Sequence, residues 1–539
     1  MIYASSFLYK FTHTSPYNVL SDEIDVIATE ITKGDLSDDE DVQPADEPIE
    51  EIDVQETVVL EEKDPQVVRS LLWGVPSPTS LFWSAVTFLI NLALLAMVLD
   101  LVYRAPLLHP AHSLSMARVG HVSDHDAKVL VREPRTSEYP LFMSYRYADA
   151  PLDVHNAYRA QDVSWKSAGS IRELDDNTDF TGTFTLDGLK PDTKYQYTSS
   201  NNHSGYFVTA PRPGRLPQRH DNVFTFLHTS CIKPRFPYNP FQHPLEVPGF
   251  KHLAKLLPSL GAQFMIFLGD FIYIDVPRRF GKDRETYRRE YRQVYASPDW
   301  PSVSSNTGAE LPWIHVWDDH EIENDWDQST TGVYKGAVDA YQVYHTSVNP
   351  PSVRPGATYF SFVQGPASFF MLDTRSYRDP FDGTDGSYNE TDYRKSMLGK
   401  QQLTDLLQWL STPEPTGVRW KIVISSIPFT KNWHFGSEDT WAGYLGERRM
   451  VLEAMWDVGL RGGVGVVILS GDRHEFAATS FPPPSEGKLQ GLNMIGGGLK
   501  TKKWPVSATV HEFSVSPLSM FYLPIRTYRT DDEEDICIK

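Results

Sequence analysis

From Pro213 onward the chain repeats one pattern, a short apolar run that stops abruptly at polar residues, and this constrains its fold more than any other feature. The runs are VFTFL (223–227), FMIFLGD (264–270), PWIHVWDD (312–319), SFFMLDTR (368–375), WKIVISS (420–426) and VGVVILSGD (464–472). Between them lie FKHLAKLLPSL, MLGKQQLTDLLQWL and ERRMVLEAMW, whose apolar residues recur at the spacing of a helix with one buried face. Strands alternating with helices predict an α/β domain of roughly three hundred residues. In such sheets the ligand site lies beyond the carboxyl ends of the strands, where these polar clusters fall.

At 539 residues the chain exceeds a single core. The segments AKVLVRE, PLFMSYRY and DFTGTFTLDGL alternate apolar and polar residues between Asp, Gly and Pro turns, which predicts a small β-sandwich ahead of the α/β domain. The clearest local signal is GLKPDTKYQY, where Pro191-Asp192 supplies turn chemistry before a strand. Residues 1–79 are acidic and Pro-dotted, without sustained periodicity, and predict a mostly disordered tail.

The nineteen residues from Leu81 to Leu99 carry no charge and are long enough to cross a bilayer as a helix. Ser84, Thr87 and Asn91 share one helical face, but that stripe is short and uncharged. Basic residues are sparse on both sides (Lys63 and Arg69, then Arg104 and Arg118), so flanking charge does not orient the span. The acceptor triplets Asn202-His-Ser and Asn389-Glu-Thr both follow it, which points to a single-pass membrane protein with the large domain lumenal or extracellular. Of the net charge of −20, residues 35–64 carry −13 and residues 531–539 carry −4, leaving −3 elsewhere. The acidity therefore says little about the substrate, and nothing in the charge favours nucleic-acid recognition. Cys231 and Cys537 are not expected to pair, because the second lies in a segment of tail composition.

Four strand-end clusters carry the chemistry. In Leu268-Gly-Asp-Phe-Ile-Tyr273, Asp270 is placed to bridge two cations, and Tyr273, as phenolate, suits a hard ion such as Fe3+. Alone, Asp270 reads equally well as a helix cap. Trp317-Asp-Asp-His-Glu-Ile-Glu-Asn324 crowds ionisable groups at a strand end, which is costly unless cations or substrate neutralise them. Asp319 is read there as a ligand of a second metal, and His320 as the group facing the phosphoryl oxygen or the leaving group. In Ser470-Gly-Asp-Arg-His474, Asp472 and His474 are two apart and can face one site together. Cys231, in His228-Thr-Ser-Cys231-Ile-Lys233, has the composition of an ordinary buried cysteine, but its strand ends at the same place and a thiolate is a competent ligand.

Taken together, TSCIK, LGDFIY, WDDHEIEN, LDTRSYR, the DTWAGY…ER stretch from Asp439 to Arg448, and SGDRHE resemble the alkaline phosphatase D (PhoD-like) family of metallophosphatases over about 118–528. The resemblance implies a four-layer αββα metallophosphoesterase sandwich, preceded by a small all-β domain like an immunoglobulin or fibronectin module. It also implies a site holding Fe3+ with a divalent ion, Ca2+ foremost, and hydrolysis of phosphomonoesters or phosphodiesters. Carried over by motif, Cys231, Asp270, Tyr273 and His474 would hold the iron, and Asp270, Asp319 and Asp472 the divalent ion. Tyr287, in TYRREYRQVY, competes with Tyr273 for the phenolate position.

Arg375, Lys233 and Arg473 are candidate phosphate contacts, with a surface ion pair the alternative for each. The expected layout is an acidic tail (1–79), a transmembrane helix (80–103), a linker (104–117), the sandwich (118–212), the metallophosphatase domain (213–530) and an acidic tail (531–539). The resembling domain would continue into a further strand beyond Cys537-Ile-Lys539, so the carboxyl end is expected to be incomplete. The functional expectation is a membrane-anchored metal-dependent phosphoesterase, and the rival is an inactive binding or adhesion protein on the same fold.

Overall fold

A computed structural model describes residues 2–31, 49–148, 164–306, 308–380, 394–484 and 504–539; Asn389 and the acidic residues 35–48 lie outside them. The chain divides into Met1–Asp100 and Leu101–Lys539. The first unit departs from the expected disordered tail. Tyr17–Ile31 pairs antiparallel with Ile49–Glu62, aligning Val19 with Leu60 and Val26 with Val54. Val and Ile favour extended backbone, and here they are frequent enough to form a ribbon despite the acidic composition.

The helix Leu81–Leu108 is long and apolar enough to cross a membrane. It runs five residues past the expected end at 103, into what was read as linker. Two of its polar side chains bond locally, Ser84 Oγ accepting from Ser77 N at 2.9 Å and Asn91 Nδ2 donating to Thr87 O at 2.9 Å, while Thr87 Oγ1 is buried without a hydrogen-bond partner. Where the chain enters the second unit, Gln293 Nε2 donates to His109 O and to Ala105 O, which also accepts from His109 N.

The sandwich residues form a three-stranded sheet (Met116–Val122, Asp126–Arg132, Thr181–Asp187) and a four-stranded sheet in the order Lys166–Ile171, Leu141–Tyr147, Lys194–Ser199, Ser204–Val208. They enclose a core that includes Val129, Val131, Met143, Phe184 and Phe207. Buried arginines fasten this unit to the next: Arg118 donates to Tyr344 O at 2.7 Å, and Asp179 accepts from both Arg132 and Arg292.

The remaining residues build two facing sheets. One is parallel, in the order Trp313–His315, Met265–Phe267, Leu227–Ile232, Pro517–Ser519. The other is mixed, in the order Phe360–Gln364, Ala367–Met371, Trp420–Ile424, Gly465–Ser470, Val510–Ser514, Ala477–Phe481, Ile536–Cys537. Side-chain alternation along each strand assigns the layers. Ile266, Ile314, Phe369, Met371, Ile422, Ile424 and Leu469 meet between the sheets. Met265, Phe267 and Trp313 point the other way, onto helices Pro248–Leu260, Arg284–Tyr295 and Tyr334–Tyr344. Phe370, Val423, Val466 and Ile468 pack outward on helices Gly399–Ser411 and Leu445–Arg461. The result is the expected helix–sheet–sheet–helix stack.

Two expectations change in detail. The VFTFL run precedes its strand, which forms at Leu227–Ile232 while Phe224 and Phe226 pack between the sheets. Residues 531–539 are not a free acidic tail: Ile536–Cys537 pairs with Thr479–Ser480, and buried Asp535 accepts two bonds of 2.7 Å from Arg448. A buried ion pair and an edge ladder offset the repulsion of the local carboxylates.

Glu447, in the first turn of Leu445–Arg461, accepts from Met397 N and Leu398 N and caps the turn before Gly399–Ser411. Burial pushes its carboxyl up to about 7, against the opposing pull of these bonds and of Ser396. The folded state then keeps a proton that the unfolded chain releases near 4.5, so this contribution to stability falls as pH rises from about 4.5 to 7 and is level above that. Glu447→Gln retains the accepting oxygen. It is expected to make the loss of stability between about pH 5 and 7 shallower than in the wild type, read as the urea midpoint, and an unaltered slope would refute the assignment.

Candidate metal centre

The polar clusters meet because the backbone turns sharply where the strands end. Cys231 (φ 58°), Asp270 (φ 60°), Asp472 (φ 72°) and His474 (φ 56°) all lie in the left-handed region, which costs a non-glycine residue about 1 kcal/mol or more. Each turn swings its side chain toward one point. Gly269 is needed for a further reason: at φ 108°, a Cβ there would stand 2.5 Å from Asp318 Cβ, so only glycine lets the two loops approach.

Around that point Cys231 Sγ lies 3.4 Å from Asp270 Oδ2, and Tyr273 OH lies 2.9 Å from the same oxygen and 3.0 Å from His474 Nε2. Four groups each offer ligand atoms within 4.8 Å of one another: Cys231, Asp270 and His474; Asp270, Asp319 and His320; Asp318, Asp319 and Asp472; Asp319, Asp325 and Asp439. Shared Asp270 and Asp319 make these groups one continuous cluster.

Its electrostatics are unfavourable as protein alone. Burial, reinforced by neighbouring carboxylates, holds Asp270 and Asp472 well above the usual carboxylate range, and burial pushes Asp318 up to about 6. Burial would also raise Asp319, but Arg375 and His320 outweigh it and hold this carboxyl low. The thiol of Cys231 and the phenol of Tyr273 are pushed up by burial and by Asp270. Burial opposes protonation of His320, yet Asp319, Asp270 and Asp275 together raise it above its ordinary range. Among the described residues, Asp270 Oδ1, Asp318 Oδ2, Asp319 Oδ1 and Asp472 Oδ2 are buried without a hydrogen-bond partner. Oxygens of this kind are what hard cations take, and the thiol, phenol and imidazole beside them complete a mixed donor set that could hold metal.

The predicted residues divide on inspection. Cys231, Asp270, Tyr273, Asp319, His320, Asp472 and His474 come together as described above. Tyr287 does not join them, because its hydroxyl donates to Ile322 O at 2.7 Å and accepts from Arg279. Lys233, expected to meet phosphate, instead donates to Tyr273 O at 2.9 Å and pairs with Glu290 at 3.0 Å.

Arg375, expected in the same role, is fully buried; its Nε donates to Asp318 and its two terminal nitrogens hold Asp439 at 2.7 and 3.0 Å. It balances the cluster from behind and is closed to substrate. Arg473, expected in the same role, donates to Phe435 O and, at 3.5 Å, to Gly436 O, stands 3.8 Å from Asp472, and lines with His474 a cleft of about 720 Å3.

Sequence reasoning passed over Asp318, Glu321, Asp275 and Asp439. Glu321 accepts from the N–H groups of Asp270, Phe271 and Asp318, locking two loops together. Asp275 takes His320 Nδ1 at 2.7 Å. Asp318 and Glu321 were visible as neighbours of the chosen pair, and Asp439 opens the DTWAGY motif, but only the fold brings it to Arg375.

These features define an α/β protein of two packed sheets with a carboxylate-rich candidate metal centre at the strand ends. The model of the PhoD-like phosphatase family matches residues 226–537, more than half of the chain, and the chain belongs to that family. Alkaline phosphatase D of Bacillus subtilis (strain 168) is 29% identical over 353 residues, 58% of this chain and 56% of that protein, so the match spans little more than half of the relative's length. A solved structure of PhoD shares the fold with a TM-score of 0.53, at 22% identity over 75% of this chain and 76% of that one.

Arg375→Met would leave Asp318 and Asp439 without their main counter-charge, and breaking a buried pair in this way costs about 3–5 kcal/mol. The expected result is a marked fall in melting temperature with little rescue by Arg375→Lys, which cannot form the paired bonds to Asp439. An unchanged melting temperature in the Met variant would contradict the balancing role.

Proposed function

We propose that the chain is a membrane-anchored phosphoesterase that hydrolyses phosphomonoesters or phosphodiesters, with its catalytic domain lumenal or extracellular. The observation that carries this reading is the set of buried carboxylate oxygens without hydrogen-bond partners beside a thiol, a phenol and an imidazole, with His474 and Arg473 lining one cleft. Membership of a phosphatase family supports it, and the apolar helix supports the anchor.

Cys231, Asp270, Tyr273 and His474 would hold Fe3+, and Asp270, Asp319 and Asp472 a divalent ion such as Ca2+. When bound, such ions lower the pKa of a water toward neutrality and draw charge from the phosphoryl oxygens. In the overall reaction water adds to phosphorus, one P–O ester bond breaks, and the leaving alkoxide takes up a proton.

The chain's own residues divide the remaining work. Arg473 receives the anionic ester at the wall of the cleft. Asp275 fixes the proton of His320 at Nδ1 and leaves Nε2 as the exchanging nitrogen, the atom that delivers a proton to the leaving oxygen. Arg375, Glu321 and the left-handed turns hold the carboxylates in place.

Metal-loaded full chain is expected to hydrolyse an aryl phosphomonoester or diester. His320→Asn is expected to lower kcat about a hundredfold to ten-thousandfold with metal content unchanged. Absence of turnover in metal-loaded wild type would return the chain to a non-catalytic binding role.

A further inference from the structure

The cleft that holds His474 has an apolar wall. Phe476, Tyr522, Leu523 and Ile525 line the same cleft of about 720 Å3 as Arg473 and His474. They are 45%, 72%, 53% and 61% exposed, so large apolar side chains stand in water beside the ligand cluster. Phe521, 53% exposed, carries the surface inward, its ring 4.9 Å from that of His474. Contiguous exposed apolar surface of this kind marks a binding surface rather than chance exposure. Because wall and His474 share one cleft, an occupant of the wall reaches the cluster, and a small polar ester would leave the wall wet. The chain also enters this unit directly from an apolar helix, and Leu101, Val102 and Ala105 line a small cavity together with Tyr273.

We propose that the phosphate ester handled at this site carries a long apolar chain, which lies along Phe476, Tyr522, Leu523 and Ile525 while Arg473 receives the phosphate. The inference rests on the phosphoesterase reading and narrows its substrate to phosphoesters of amphiphiles.

The test uses the full chain held in amphipol and a series of p-nitrophenyl alkyl phosphodiesters from methyl to octyl. Alongside it, binding of methylphosphonate and octylphosphonate is measured by calorimetry. A fully buried methylene is worth about fourfold in affinity, so partial burial of the chain predicts at least about a tenfold rise in kcat/KM, and in phosphonate affinity, from methyl to octyl.

Leu523→Ser with Ile525→Ser is expected to reduce the octyl-to-methyl ratio in both measurements. Turnover with a flat series and equal phosphonate affinities would overturn the apolar-chain proposal and leave the phosphoesterase standing. Tighter octylphosphonate binding without turnover of any ester would support the apolar wall and overturn the catalytic reading. Neither turnover nor phosphonate binding would overturn both.

Discussion

One problem of charge organises this domain: buried Asp270, Asp318, Asp319 and Asp439 and half-buried Asp472 converge where two sheets end, and carboxylates do not gather away from water without counter-charge. Arg375 answers half of it, gripping Asp318 and Asp439 from the interior. The other half falls to Asp270, Asp319 and Asp472, each of which has a carboxylate oxygen without a hydrogen-bond partner among the described residues. The rest of the site follows from that division. Left-handed turns aim the ligands, Glu321 ties the loops through three backbone N–H groups, and Gly269 makes room for Asp318.

Much of the fold was legible because the central strands are buried on both faces, which leaves continuous apolar runs such as FMIF and VVIL in the sequence. Strands without that burial left a weaker trace. Val510–Ser514 carries Glu512 in the core, where the carboxyl accepts from Phe429 N and Thr430 N; a charged residue in so short a segment hides its strand. Ile536–Cys537 sits among carboxylates and pairs only because the fold brings Arg448 to Asp535 and an open edge to Thr479. The ribbon Tyr17–Ile31 with Ile49–Glu62 was hidden by acidic composition in the same way.

At the site, the strand-end ligand candidates were more legible than the groups that support them. Strand-end position marked Asp270, Asp319, Asp472 and His474, and chain spacing made Tyr273 a candidate that the geometry favours over Tyr287. The arginine roles were not legible. A guanidinium at a strand end reads alike whether it meets substrate or neutralises its own neighbours, and only burial separates Arg375 from Arg473. Asp439 likewise acquires its part from a contact across 64 residues of chain.

The central claim is that cations complete this cluster. Elemental analysis of purified full chain tests it most directly, with Asp270→Asn in parallel, because Asp270 belongs to both expected ligand sets. The account predicts iron and a second metal at about one ion each per chain in the wild type, and loss of both in the variant. A folded wild type carrying neither metal after reconstitution, or a variant that retains both in full, would contradict it.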